Sequence, residues 1–319
     1  MKSRAQILVG PGRFEMHEFD VPAPGRGQLR MRVHGCGICG SDKVLARESA
    51  PGTILGHEVV AEVESCGTGV TGWRVGDRAI PVGDELGMGD RRGGFSEWIV
   101  IAAEVCVRVP ESVPSRHAVL AEPLGNGLHF VRRSRLQAGQ RVAILGGGQI
   151  GLSILFWARR LGAARIVVSE PVPARARLAR ELGADAVIDP REHPDLSAAI
   201  ADALGGRPEV VFEAVGRPEV MDQAIRLPSG RGSVVVLAGI TMSELTIRPV
   251  SLCLKEIDLV FPVGTVRAEV EEVLDVMARG ELPAERFVSH RIRLDQIPEA
   301  LHDLGKPTDQ IKVVVDYDL

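Results

Sequence analysis

Hydrophobic and polar positions change texture twice along the chain. In the first third, apolar residues recur in short alternating runs. Arg30 to His34 alternates like a half-buried strand, and Val59 to Glu64, Arg78 to Val82 and Ser96 to Ile101 are further strand candidates. Gly67, Gly69, Gly72 and Gly76 punctuate the turns between them, so this region reads as a compact, mostly β domain. From about Leu136 the pattern becomes strand, helix, strand. Arg141 to Leu145 is a short apolar strand, followed by a helical run from Ile150 to Leu161 and a strand from Arg165 to Val168. Helix Arg175 to Leu182 and strands Ala186 to Ile188, Val210 to Glu213 and Ser233 to Ala238 continue the series. This alternation predicts a doubly wound parallel sheet covered by helices on both faces. Beyond Phe261 it stops. Val266 to Arg279 is amphipathic and helical, Phe287 to Leu294 and Ile311 to Asp316 read as strands, and Pro298 to Leu304 as a short helix. The expected division is 1–122 with 261–319 for the β domain and 123–260 for the α/β domain.

Composition narrows the function classes. The 319 residues carry a net charge of −4, with acidic and basic residues mixed, which lacks the basic stripe of a nucleic-acid binder. No apolar run reaches the ~18 residues of a membrane span. Met1 to Gly10 has no signal-peptide architecture, so the expected location is cytoplasmic. The odd number of cysteines, Cys36, Cys39, Cys66, Cys106 and Cys253, speaks against a disulfide framework there.

Gly146-Gly147-Gly148-Gln149-Ile150-Gly151 fits G-x-G-x-x-G directly after a strand and at the opening of a helix. Gly146 permits the tight turn, Gly148 the close approach of a pyrophosphate, and Gly151 the packing of helix on strand. Gln149 and Ile150 stand at the helix N-terminus, where free N–H groups and the dipole favour phosphate. Glu170 ends the next strand, 19 residues after Gly151, where an acid meets the ribose 2′-hydroxyl and repels a 2′-phosphate. NAD is therefore the expected cofactor. Arg175 keeps NADP open. Ala214, Val215, Ala238 and Gly239, at the ends of the next two strands, complete the candidate cofactor set.

Cys36-Gly-Ile-Cys39 alone is a weak signal, with no second pair to complete a four-cysteine zinc site. Its surroundings carry more. Gly37-Ile38-Cys39-Gly40-Ser41-Asp42, Gly56-His57-Glu58, Val75-Gly76-Asp77-Arg78, Glu122-Pro123-Leu124, the glycine fingerprint and Phe212-Glu213-Ala214-Val215-Gly216 follow one another in this order. Together they resemble the zinc-dependent medium-chain dehydrogenases, and within them the sorbitol and threonine dehydrogenase branch. The resemblance runs from about residue 5 to the C-terminus. It implies a GroES-like catalytic domain beside a Rossmann domain, hydride transfer between a secondary alcohol and NAD, and a homodimer or homotetramer. It also implies one catalytic zinc held by Cys39, His57 and Glu122, with Glu58 an alternative ligand or a group behind the ligands. One thiolate, one imidazole and one carboxylate leave a tetrahedral position open for water or a substrate oxygen. By resemblance Ser41 carries the substrate proton, and Asp42 is placed to orient the His57 ring. Two competing readings are a metal-free enone or quinone reductase of the same superfamily and a non-enzymatic NAD-binding protein.

The chain departs from that family in three places. Between Pro81 and Gly93 there is no cysteine where relatives carry four for a structural zinc, so one zinc per chain is expected. Lys43 and Val44 stand where many relatives place a relay histidine; a shortened relay, Lys43 or water would do its work, and Lys43 also reads as a solvated lysine. Only 17 residues lie between Cys39 and His57, fewer than usual, which suggests a wider substrate pocket. Ser233 to Ala238 and Asp258 to Val263 are candidates for the sheet edge through which copies join.

Overall fold

Alternating burial builds the β domain. Its first part runs through β1 (Lys2–Gly10), β2 (Arg13–Asp20), β3 (Gln28–Gly37), α1 (Gly40–Glu48), β4 (Glu58–Cys66), β5 (Arg78–Pro81), β6 (Trp98–Ala102), β7 (Cys106–Arg108), α2 (Ser115–Ala118) and the start of α3 (Ala121–Arg133). In β3 every second side chain from Leu29 to Val33 is buried, as a sheet with one face on the core requires. The computed structural model of the protein describes residues 1–83, 93–228, 230–304, 306 and 308–319. These fall into two units, Met1–Gly125 with Thr265–Leu319, and Asn126–Gly264. Most of the cysteine-free segment between Pro81 and Gly93 lies outside the described residues.

The second unit holds β8 (Arg141–Leu145), α4 (Gln149–Arg160), β9 (Arg165–Ser169), α5 (Pro173–Glu181), β10 (Ala186–Ile188), α6 (Leu196–Leu204), β11 (Val210–Glu213), α7 (Pro218–Arg226), β12 (Val234–Leu237), α8 (Pro249–Cys253) and β13 (Asp258–Val260). The strands form one parallel sheet in the order β10-β9-β8-β11-β12-β13. This is the expected doubly wound sheet, and its winding reverses between β8 and β11. The expectation that Ser233 to Ala238 forms a sheet edge is corrected. β12 is paired on both sides, by β11 and β13, and β13 is the edge strand.

The chain then returns to the first unit with α9 (Arg267–Ala278), β14 (Val288–Ile292), α10 (Ile297–Asp303) and β15 (Lys312–Asp316). The main sheet there reads β14-β15-β3-β4-β5-β7, with β6 also on β3 and β1–β2 as a separate pair. Its core gathers Leu29, Met31, Val33, Val59, Ala61, Val63, Ile99 and Ile101. Among the described residues no helix is long and apolar enough to cross a membrane.

Candidate active site

Strand register brings the metal-type residues together. β3 and β4 are antiparallel, with Gly37 opposite Glu58. Cys39 lies two residues beyond the end of β3 and His57 one residue before the start of β4, so both come to the same end of the ladder. A Cβ on Gly37 would stand 1.9 Å from Glu58 Oε2, so glycine there leaves room for the Glu58 carboxylate. One donor atom each from Cys39, His57 and Glu58 lies within 4.8 Å of the others.

Cys39 caps α1. Its extended backbone turns the chain into the helix, and its N–H donates to Asp42 Oδ2 at 2.8 Å. Asp42 is fully buried, and its Oδ1 lies 3.3 Å from His57 Nδ1. That contact assigns the ring proton to Nδ1 and leaves the Nε2 lone pair for the cluster. Burial works hardest against a charge on the His57 ring, but the charge and hydrogen bond of Asp42, with Cys39 beside it, outweigh burial and hold its pKa well above the ordinary imidazole value. Ser41 Oγ lies 3.4 Å from His57 Nε2. Lys43 is half-buried, and its Nζ donates to the Leu304 carbonyl at 2.8 Å. The other cysteine of the pair, Cys36, is fully buried, and burial pushes its thiol well up, so it is an inert packing group.

A residue that sequence reasoning missed controls Glu58. Lys312, at the start of β15, donates to both Glu58 oxygens at 2.7 Å and to the Ile38 carbonyl at 3.0 Å. The two side chains are 3% and 1% exposed. Burial opposes the ammonium most strongly, but Glu58, then Cys39, with Glu122 further down the order, more than offset it and raise the Lys312 pKa. Glu122 stands half-buried in the first turn of α3. It acts on Lys312 through its charge but is not one of the three clustered donors. The signal for Lys312 was a lysine opening the otherwise apolar run Lys312-Val-Val-Val.

In the other unit the cofactor candidates meet at the carboxyl ends of β8, β9, β11 and β12. Gly146 has φ +101°, and a Cβ on Gly151 would stand 1.8 Å from the Gly146 carbonyl oxygen, so both positions need glycine. Gly148 caps α4, with Gln149 buried and Ile150 half-buried behind it. Glu170 is 4% exposed and braces the turn: Gly147 N–H donates to Oε2 and Val172 N–H to Oε1, each at 2.7 Å. Arg175 is half-buried in the first turn of α5. Glu213, also missed as a functional residue, ties the remaining turns together. Its Oε1 accepts from Val215 and Gly216 N–H at 2.8 Å, while its carbonyl accepts from Ala238 and Gly239 N–H. Burial raises its carboxyl pKa, against those N–H donors.

A dinucleotide-type sheet in one unit and a thiolate, imidazole and carboxylate cluster in the other define a metal-dependent, nicotinamide-dinucleotide oxidoreductase. Comparison with known proteins gives the family. The model described as Alcohol dehydrogenase GroES-like domain matches residues 25–111, and that described as Zinc-binding dehydrogenase matches 150–279. The chain is 32% identical to (R,R)-butanediol dehydrogenase of Bacillus subtilis (strain 168), over 94% of this chain and 95% of that one. It is 29% identical to sorbitol dehydrogenase of Macaca fascicularis, over 96% and 93% of the two chains. Its fold matches that of a zinc-binding dehydrogenase from Sinorhizobium meliloti 1021 bound to NADP, with a TM-score of 0.91 at 29% identity and 99% of each chain covered. The chain belongs to the zinc-binding medium-chain alcohol dehydrogenases. It is an NAD(P)-dependent oxidoreductase acting on CH–OH groups.

Proposed function

We propose that the protein oxidises a secondary alcohol of a small polar molecule (a polyol, sugar, cyclitol or amino alcohol) with NAD, or reduces the corresponding ketone. The observation that carries this is the Cys39, His57 and Glu58 cluster, whose donor atoms lie within 4.8 Å of one another. The donor set fits zinc, which accepts sulfur, nitrogen and oxygen in one tetrahedral site. Cys39, His57 and a glutamate would hold the ion: Glu58 is the carboxylate within donor distance, and Glu122 is the second candidate. When bound, zinc supplies Lewis acidity that lowers the pKa of an alcohol. This donor set argues against a metal-free enone or quinone reductase. The butanediol and sorbitol dehydrogenases among the relatives support the substrate class.

The chain's own residues supply the rest. Asp42 fixes the His57 ring. Ser41 takes the substrate proton outward, with its hydroxyl 3.4 Å from His57 Nε2. The turn from Gly146 to Gly151 receives the pyrophosphate, and the Glu170 carboxylate beside it favours NAD by repelling a 2′-phosphate. Cys39→Ser or His57→Ala should abolish turnover and leave NAD binding intact. Absorbance of the reduced cofactor across a panel of polyols and aminocyclitols identifies the substrate. Full activity in a metal-free preparation would reject the zinc role. The five free thiols support a reducing, cytoplasmic setting. Edge strand β13, followed by Phe261 at 65% and Val263 at 83% exposure, supports a homodimer joined there, which light scattering tests.

A further inference from the structure

We infer that Tyr317 is a positioning residue for the metal cluster: its hydroxyl holds the Gly94 carbonyl and so fixes the turn that delivers His57. This rests on the reading of Cys39, His57 and Glu58 as a metal site. Tyr317 is the one tyrosine of the chain and stands half-buried directly after β15. Its N–H donates to the His34 carbonyl at 3.4 Å, and its side chain crosses β3 to donate to the Gly94 carbonyl. β15 lies on one side of β3 and β4 on the other, with Val315 and Val59 both opposite Cys36. Gly94 lies over the rung that Cys36 and Val59 form. A Cβ there would stand 2.2 Å from Val59 Cγ2 and 2.8 Å from Cys36 Sγ. The phenol therefore reaches from the C-terminal strand to a segment laid across the two strands whose ends carry Cys39 and His57.

From Gly94 the restraint passes to His57 in one step. Gly94 N–H donates to the Gly56 carbonyl at 2.7 Å, and Phe95 N–H to the Leu55 carbonyl at 2.8 Å. Gly56 immediately precedes His57 and has φ +95°. A Cβ on Gly56 would stand 2.6 Å from Phe95 Cδ1, and one on Gly93 would stand 2.1 Å from the Ile54 carbonyl oxygen. The two segments thus lie backbone against backbone, and a shift in one moves the other. Metal ligands must be held to within about 0.5 Å, so whatever fixes their backbone contributes to affinity. Phenylalanine would fill the same space without needing a partner. The tyrosine hydroxyl adds one bond, to the carbonyl of a buried residue, where water does not readily replace a lost donor. Removing it frees Gly94 to move, and Gly56 with it.

The test compares the full-length wild type with Tyr317→Phe, which keeps the ring and loses one oxygen, and with Leu29→Val, a change in the buried core at the opposite end of β3. Zinc affinity is read by competition with a chromophoric chelator, ligand geometry by the visible spectrum of the cobalt-substituted protein, and stability by thermal unfolding. Both variants should lower the Tm of the metal-free protein by a few degrees. Tyr317→Phe should weaken zinc about tenfold, the lower end of the loss seen when a group supporting a metal ligand is removed, and should shift the cobalt bands. Leu29→Val should keep the zinc affinity and the cobalt bands of wild type. A merely structural hydroxyl changes the Tm alone, so wild-type zinc affinity or an unchanged cobalt spectrum in Tyr317→Phe overturns the inference. Equal loss of zinc affinity in the two variants overturns it as well, because general loosening of the domain then accounts for the effect. If wild type itself takes up neither zinc nor cobalt, the metal-site reading fails and this inference falls with it; if wild type binds both ions and Tyr317→Phe matches it, only this inference fails.

Discussion

Replacing Lys312 by methionine tests the electrostatic frame of the metal site. The Lys312 and Glu58 side chains are 3% and 1% exposed, and Nζ meets both carboxylate oxygens at 2.7 Å. Methionine keeps the length of the side chain but leaves Glu58 as a buried carboxylate beside Cys39 without its ion-pair partner. Breaking a buried ion pair by removing one partner costs about 3–5 kcal/mol, most of it from the charge left behind. At about 2–4 °C per kcal/mol for a unit of this size, the metal-free variant should unfold roughly 6–20 °C below wild type. Adding Glu58→Gln removes the orphaned charge, so the double variant should recover most of the loss. Zinc supplies a cation to the same place, and it should therefore stabilise Lys312→Met more than it stabilises wild type. Far-UV circular dichroism melts of chelated and zinc-loaded protein read all of these. Metal-free Lys312→Met melting together with wild type, or a double variant no better than the single one, would refute the reasoning.

Three further outcomes are expected. Metal analysis should find one zinc per chain, because no cysteine stands between Pro81 and Gly93, and two tightly bound ions would contradict it. In native protein near pH 8, a thiol reagent should modify the exposed Cys66 and Cys253 and spare Cys36 and Cys106. Burial pushes the Cys106 thiol up to about 12, and Cys39 should react only after zinc is stripped; mass mapping of the labelled sites decides. Glu213 has a carboxyl pKa raised above 4.5, so between 4.5 and the raised value the folded state binds more protons than the unfolded chain, and stability falls as pH rises through that window. Glu213→Gln should flatten that fall in urea-unfolding series across the window, and an unchanged slope would rule it out.

Elements were legible where one signal decided them. Arg141 to Leu145, Ala186 to Ile188 and Val210 to Glu213 were read at the ends they have in β8, β10 and β11, as short apolar runs bounded by polar or glycine residues. The β1–β2 pair was not read. In β2 only Phe19 is buried, so the strand shows almost no apolar face, and its partner rather than its own pattern makes it a strand. α3 was also unread, since it carries Pro123, Gly125 and Gly127, which lower helix propensity. A Cβ on Gly127 would stand 1.9 Å from Ser153 Oγ, so packing demands the glycine and overrides propensity.

The candidate site divides in the same way, by distance along the chain. Cys39, Ser41 and Asp42 lie within one turn of a helix start, and His57 and Glu58 are adjacent at a strand start, so short motifs carry them. What joins the two motifs is ladder register, Gly37 opposite Glu58, and no local pattern states a register. The same register explains the balance between Glu58 and Glu122. β15 pairs with β3 so that Val314 faces Gly37, which carries Lys312 past the strand end to the Ile38 carbonyl and the Glu58 carboxylate. A lysine 254 positions from Glu58 thus neutralises the very carboxylate that the His57-Glu58 motif places among the donors. Glu58 therefore stands in the cluster already compensated by an ammonium. Glu122 acts on that ammonium through its charge, and its own claim on a metal rests on α3, the helix that propensity conceals.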